Sequence, residues 1–127
     1  MNILGIDYGR KKVGFAYSSG VLSEPLEVYG YSQRKSLFDH IQSLISKYEI
    51  EKILIGVSEG EMAKEIELFG DELKKQVIIP IVYHDETLSS LDAKHLSIQA
   101  GQKRKKRKEL EDAYAAAIVL QDYLDSR

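Results

Sequence analysis

The sequence predicts an α/β fold built on a five-stranded mixed sheet, three antiparallel strands then two parallel, with helices on both faces. Three observations predict it. Short apolar segments separated by glycine-containing turns open the chain. The apolar period then lengthens from two residues to three or four, the spacing of one helix face. After that change, short apolar runs alternate with helical patterns, which is how a sheet acquires helices on both sides.

Met1 to Asp7 reads as a buried strand through Ile3, Leu4 and Ile6. Tyr8-Gly9-Arg10-Lys11-Lys12 is a turn punctuated by glycine. Val13 to Tyr17 is a second strand, in which Gly14 permits close approach of another backbone. Ser18-Ser19-Gly20 turns the chain again, and a third strand is expected over Leu26 to Tyr31, beyond an interruption at Pro25. Three strands with short connections suggest an antiparallel meander. Ser32 or Ser36 is expected to cap a helix carrying Leu37, Phe38, Ile41, Leu44, Ile45 and Tyr48 at spacings of three and four. Lys52 to Val57 is a short apolar strand. Glu61 to Gln76 reads as a helix through Met62, Ile66, Phe69 and Leu73. Val77 to Tyr83 is the last expected strand, weakened early by Pro80. Leu88 to Ala100 is expected to be helical and to stop at Gly101. A basic loop follows, then an alanine-rich helix from Leu110 to Leu124. The order β-β-β-α-β-α-β-α-α fits an RNase H-like fold in one domain spanning residues 1–127.

Composition narrows the chemistry. With 43% apolar and 30% charged residues the chain has the balance of a soluble globular domain. It contains no cysteine, which excludes disulfides and thiolate metal sites and leaves oxygen or histidine as metal ligands. The opening segment meets charge too early for a signal peptide, and no apolar run approaches the ~20 residues of a membrane span. A cytoplasmic location without membrane contact is therefore expected. The net charge of -2 by itself argues against a nucleic-acid partner. It conceals a segregation of charge: Lys103, Arg104, Lys105, Lys106, Arg107 and Lys108 are consecutive cations, while Glu59, Glu61, Glu65 and Glu67 lie in a separate acidic stretch. Phosphate binding responds to the local field, so the segregation informs more than the sum.

Three acidic positions stand where an α/β sheet gathers functional groups. Asp7 ends the first strand, Asp85 and Glu86 end the last, and Asp112 is expected one turn into the final helix. If the first and last strands are neighbours, these carboxylates converge. Such a cluster repels itself unless a cation neutralises it, and a hard ion such as Mg²⁺ prefers carboxylate and water oxygens. An ion so held can orient an attacking water and stabilise the leaving oxygen of a phosphodiester. Each acid also has a plainer reading: Asp7 as a turn residue, Asp85 and Glu86 as favourable charges at a helix start, Asp112 as an ion-pair partner of Lys108 four residues earlier.

The run Lys103 to Lys108 is either a solvated surface or a grip on a phosphate backbone. Its place just before the helix of Asp112 favours the grip, which would supply affinity without sequence choice. Arg10, Lys11 and Lys12, in the turn after Asp7, are counted with it as nucleic-acid contacts. The alanines at 113, 115, 116 and 117 are expected to let the last helix approach the sheet closely. Tyr8 and Tyr83 flank the acids and either stack on a base or pack in the sheet. His84 adjoins the acids and is a candidate for proton transfer. His40 and His95 fall in helical patterns without an assigned role.

Beyond these readings, the chain resembles the YqgF family of Holliday junction resolvases and pre-16S rRNA nucleases, nearly end to end. Ile3-Leu4-Gly5-Ile6-Asp7-Tyr8-Gly9 with Lys12-Val13-Gly14 is similar to the family's first motif, and Ile53-Leu54-Ile55-Gly56-Val57 to its fourth strand. Tyr83-His84-Asp85-Glu86-Thr87-Leu88-Ser89-Ser90 resembles its second acidic motif, and Lys106-Arg107-Lys108-Glu109-Leu110-Glu111-Asp112 its closing motif. The resemblance implies that Asp7, Glu86 and Asp112 are catalytic and hold Mg²⁺ or Mn²⁺, with Asp85 as companion. Two departures stand out. Thr87 replaces the arginine usual after the Asp-Glu pair. Ser58-Glu59-Gly60-Glu61-Met62-Ala63 replaces a Leu-Pro and glycine-rich turn, and Glu59 is kept there as a reserve ligand.

What the resemblance implies is hydrolysis of phosphodiesters in structured nucleic acid: maturation of the 5′ end of 16S rRNA, or cleavage of four-way DNA junctions. A junction resolvase is expected to be a homodimer; an rRNA nuclease can act as a monomer. Two other classes compete. A sugar-kinase or actin-like ATPase shares the Asp7-x-Gly9 and Gly14 pattern, but needs a second lobe and a phosphate loop that these residues do not supply. A non-catalytic nucleic-acid-binding module for ribosome assembly would use the basic run alone.

Overall fold

The computed structural model describes residues 1–58, 60–85 and 110–126. Strand β1 (Ile3–Asp7) runs antiparallel to β2 (Lys12–Ser18), and β2 antiparallel to β3 (Ser23–Gly30). Helix α1 (Arg34–Tyr48) leads to β4 (Lys52–Val57), which pairs with β1 in parallel. Helix α2 (Glu61–Lys74) leads to β5 (Ile81–Asp85), parallel to β4, and helix α3 (Glu111–Asp125) follows. The sheet order is β3-β2-β1-β4-β5: the expected meander, extended by two parallel strands.

Strand alternation divides the core. Leu4, Ile6, Val13, Phe15, Ile53 and Ile55 point to one face, where Leu37, Phe38 and Ile41 of α1 and Ile66, Phe69 and Leu73 of α2 cover them. Ile3, Ala16 and Leu54 point to the other, under Ala116, Ala117 and Leu120 of α3. Each large aliphatic side chain buried this way contributes about 1.5–3 kcal/mol relative to exposure. The expected close approach of the alanine-rich helix is observed at Gly5, where an added Cβ would lie 3.3 Å from both the Ala116 carbonyl and the Leu120 Cβ. Ser23 fastens the far part of α3 to β3: its N–H donates to Gln121 at 2.9 Å and its hydroxyl to the Ala117 carbonyl at 2.5 Å.

Three expectations are corrected, and one open condition is decided. Pro25 does not delay β3, which starts at Ser23; Pro25 opposes Ala16 and Glu27 opposes Phe15, leaving Leu26 as an extra residue in a bulge. A bulge on an edge strand is a place where the missing proline N–H is tolerated. Strand β5 begins at Ile81 rather than Val77, because Pro80 cannot donate to a ladder, although its carbonyl accepts from the Ile53 N–H at 3.0 Å. Neither Ser32 nor Ser36 caps α1: the N-cap is Gln33, and the Ser36 hydroxyl instead donates to the Gln33 carbonyl at 2.8 Å. The first and last strands are not neighbours, since β4 stands between β1 and β5. The expected helix over 88–100 with its stop at Gly101, and His95 within it, lie outside the described residues.

Candidate active site

Because β1, β4 and β5 are parallel, their C-terminal ends meet at one end of the sheet. Asp7, Val57 and Asp85 are the last residues of these strands, and the start of antiparallel β2, with Lys12 and Gly14, lies beside them. Ile3 and Gly5 face α3, so alternation turns Asp7 to the same side. His84 also reaches α3: its Nε2 lies 2.7 Å from Asp122 Oδ2, and its ring meets Tyr123 edge-on. Tyr83 packs the other way, onto Gly70 of α2. Asp85 follows Tyr83 in the alternation and ends β5 on the α2 side, the face opposite Asp7.

The start of α3 rests on Gly14. A Cβ there would lie 2.1 Å from the Asp112 carbonyl oxygen and 2.7 Å from the Ala113 nitrogen. Gly14 is also the register partner of Asp7 in the antiparallel ladder. Asp7 and Asp112, near opposite ends of the chain, are thus brought to one patch with a single glycine backbone between them. Asp112 and Glu111 occupy the first turn of α3, where negative charge is favoured by the helix dipole. Asp112 has a cation beside it: Lys12 Nζ lies 3.5 Å from its Oδ2. Glu86, Thr87, Glu59 and the run Lys103 to Lys108 lie outside the described residues. Among the described residues no group of three or more His, Asp or Glu side chains could hold a metal. Asp7 and Asp112 offer hard oxygen donors, which suit Mg²⁺ or Mn²⁺ and not a thiophilic metal.

The turn between β1 and β2 is braced from below. The Tyr31 hydroxyl donates to the Gly9 carbonyl at 2.7 Å, and the Tyr31 N–H to the Lys11 carbonyl at 3.0 Å. Burial, with the neighbouring Tyr8 hydroxyl, pushes the Tyr31 phenol well above its ordinary range. Tyr8 is buried, stacks on Phe69 at 4.5 Å and accepts a hydrogen bond from Arg34 at 3.0 Å; it packs in the core and is not a platform for a base. Tyr83 is partly exposed beside a shallow cleft formed with Val57, Ser58, His84 and Asp85. Arg10 reaches sideways to α2, where its Nε and a terminal nitrogen fork onto the Glu65 carboxylate at 2.9 and 2.6 Å. That pairing raises the Arg10 pKa and holds the Glu65 carboxyl below its ordinary range. His40 is a core-side contact, stacked on Tyr29 at 3.9 Å and bonded to Glu27.

Sequence reasoning did not anticipate the Lys12–Asp112 pair, the Asp122–His84 bond or the Tyr31 brace. The first had a legible signal: Lys12, Gly14 and Ala16 share one face of a strand at a period of two. The others join residues far apart along the chain with no local pattern.

Comparison with known proteins agrees with this architecture. The family model described as "RuvX: Holliday junction resolvase" matches residues 1–126. A protein of Thermoanaerobacter pseudethanolicus named "Putative pre-16S rRNA nuclease" is 35% identical over 136 aligned positions, covering 100% of this chain and 98% of that one. A protein of Bacillus cytotoxicus with the same name is 33% identical over 137 positions, covering 100% of both. Among solved structures, T. thermophilus RuvC in complex with Holliday junction substrate aligns with a TM-score of 0.66 at 18% identity, over 99% of this chain and 96% of that one. The fowlpox virus Holliday junction resolvase aligns at 0.64 and 13% identity over 100% of both chains. The fold is therefore RNase H-like, of the RuvC type, and the family and its relatives carry the names of nucleases, hydrolases of phosphodiester bonds.

Proposed function

The chain belongs to the RuvX family of Holliday junction resolvases, and we propose that it is a divalent-metal-dependent endonuclease of structured nucleic acid whose task is 5′-end processing of pre-16S rRNA in ribosome biogenesis. The observation that carries this reading is the approach of Asp7 and Asp112 across Gly14 at the C-terminal end of the parallel strands. Glu86, the next residue after Asp85, is the third acid of the proposal, and the resemblance of its motif supports it. When bound, an Mg²⁺ or Mn²⁺ ion would stabilise the leaving oxygen and make water a better nucleophile. Asp7, Glu86 and Asp112 would hold it, with Glu59 in reserve; Asp85, which ends β5 on the face away from Asp7, is the one expected ligand among the described residues that this geometry turns away from the ion.

The chain's own contribution is placement and charge. The Asp7 backbone is held by strand pairing and the Asp112 backbone by a helix packed on glycine, so both proposed ligands start from regular elements. Lys11 and Lys12, with Arg10 and the run Lys103 to Lys108, would neutralise the substrate backbone without reading its sequence. The curated relatives' names favour rRNA as the substrate. The family's own description favours branched DNA, the second reading. A resolvase would act as a homodimer matching its two-fold substrate, while rRNA trimming needs only a monomer. The proposed place of action is the cytoplasm; among the described residues no helix is long and apolar enough to cross a membrane.

The test is cleavage by the full chain of a 5′-extended 16S precursor RNA and of a four-way DNA junction, with Mg²⁺, with Mn²⁺ and with chelator. Metal-dependent cleavage of the RNA, lost in Asp7→Asn, is expected. Preferential cleavage of the junction would move the assignment to the second reading. Binding of either substrate with no cleavage in any metal would leave only a nucleic-acid-binding module.

A further inference from the structure

We propose that Lys12 is a built-in counter-cation of Asp112, displaced when a divalent ion takes that carboxylate and then available to the substrate phosphate. The proposal rests on the reading above, that Asp112 is a metal ligand.

Position comes first. In β2, Val13 and Phe15 face α1 and α2, whereas Gly14 and Ala16 face α3. Period-two alternation therefore sends Lys12 to the α3 face, the face of Asp7 and Asp112. Gly14, two residues on, is both the ladder partner of Asp7 and the seat of the Asp112 backbone. Lys12 is thus the cation that strand geometry delivers to the acidic patch. Its Nζ lies 3.5 Å from Asp112 Oδ2. A divalent ion that ligates Asp112 meets an ammonium already there, and the two positive charges repel at that range.

The character of the pair suits exchange. The Lys12 side chain is 59% exposed and makes a single-point contact. A flexible stem ending in a strongly hydrated point charge is readily released to water. Arg10, two residues earlier, is the contrast: its guanidinium is forked onto Glu65 with a contact of 2.6 Å. A forked pair fixes geometry, while a long single contact between an exposed ammonium and a half-buried carboxylate is weak. Of these two cations beside the acidic end of β1, one is anchored to α2 and the other rests on a carboxylate the reaction needs. Once released, the Lys12 ammonium remains on a short tether next to Asp7, where the phosphodiester would lie.

The experiment is calorimetric titration of the full chain with Mn²⁺ alone, at fixed pH and salt, for wild type, Lys12→Met, Lys12→Arg and Asp112→Asn. Lys12→Met is expected to bind Mn²⁺ about two- to fivefold tighter than wild type, the range set by an exposed ion pair. Lys12→Arg is expected to stay near wild type. In the cleavage assay Lys12→Met is expected to lose about tenfold or more in kcat/KM through the missing phosphate contact. Tighter metal with slower cleavage is a combination that general damage to the fold does not produce. If Asp112→Asn weakens Mn²⁺ binding but Lys12→Met leaves it unchanged or weaker, the Lys12 proposal falls and the metal site stands. If wild type and Asp112→Asn bind Mn²⁺ alike, Asp112 is not a ligand and both readings fall.

Discussion

Gly14 and Asp112 meet backbone to backbone: the position a Cβ would take on Gly14 is 2.1 Å from the Asp112 carbonyl oxygen. The obstacle is main chain, so no side-chain rotation relieves it. Gly14→Ala must push the first turn of α3 away from β2, and with it Asp112. A cost of about 3 kcal/mol, at the upper end for overpacking, is expected in urea denaturation. Cleavage by the fraction that remains folded should also fall, because the displaced turn carries the carboxylate.

Gly70→Ala is the matched contrast. Its Cβ would come within 2.0 Å of the Tyr83 hydroxyl, the far tip of a partly exposed ring that can turn outward. Replacing glycine in a helix interior by alanine also contributes about 1 kcal/mol of helix propensity. Thermal unfolding should therefore place Gly70→Ala within about 1 kcal/mol of wild type, with the change confined to the Tyr83 ring resonances. A loss as large as that of Gly14→Ala would show that Tyr83 is not free to move.

Phe69 is fully buried and stacks on Tyr8 at 4.5 Å and Phe38 at 5.9 Å. It joins α2 to the residue that follows Asp7. Phe69→Ala is expected to cost about 3–5 kcal/mol in denaturant unfolding, and Phe69→Leu distinctly less, since the cavity is smaller.

These contrasts bear on how much was legible in the sequence. The strand over Lys52–Val57 is legible to the residue, because a short apolar run between polar flanks has few alternatives. The amphipathic period of α1 and the alanines of α3 pointed to the faces they use. The bulge at Leu26 was not legible, since it depends on the strand opposite. The late start of β5 was only partly so, because Pro80 marked weakness without saying where pairing begins. For the site, Asp7 and Asp112 could be singled out by position, but their meeting passes through Gly14, a contact between elements remote in sequence. That Asp85 ends β5 on the face away from Asp7 follows from a register that only the folded sheet supplies.

The Arg10–Glu65 fork gives a pH prediction. Its Glu65 carboxyl is held below the ordinary carboxylate range by the hydrogen-bonded guanidinium. A depressed carboxyl contributes stability that is fully present above its unfolded pKa and is lost as pH falls through the folded value. Carboxyl NMR titration should find the Glu65 midpoint below that of an ordinary glutamate, and Arg10→Gln should return it to the ordinary range. An unchanged midpoint in Arg10→Gln would mean that the fork does not persist in solution. Because Arg10 is already engaged, Lys11→Gln should reduce the salt dependence of nucleic-acid binding more than Arg10→Gln does.

The most direct test of the shared site is a double-mutant cycle on single-turnover cleavage with Asp7→Asn, Asp112→Asn and the pair together. Groups that serve one ion act as a unit. Each single substitution should slow cleavage by about a hundredfold or more while substrate binding holds, and the double mutant should be little worse than either. Effects that multiply in the double mutant, or either single mutant cleaving at the wild-type rate, would contradict a site shared by Asp7 and Asp112.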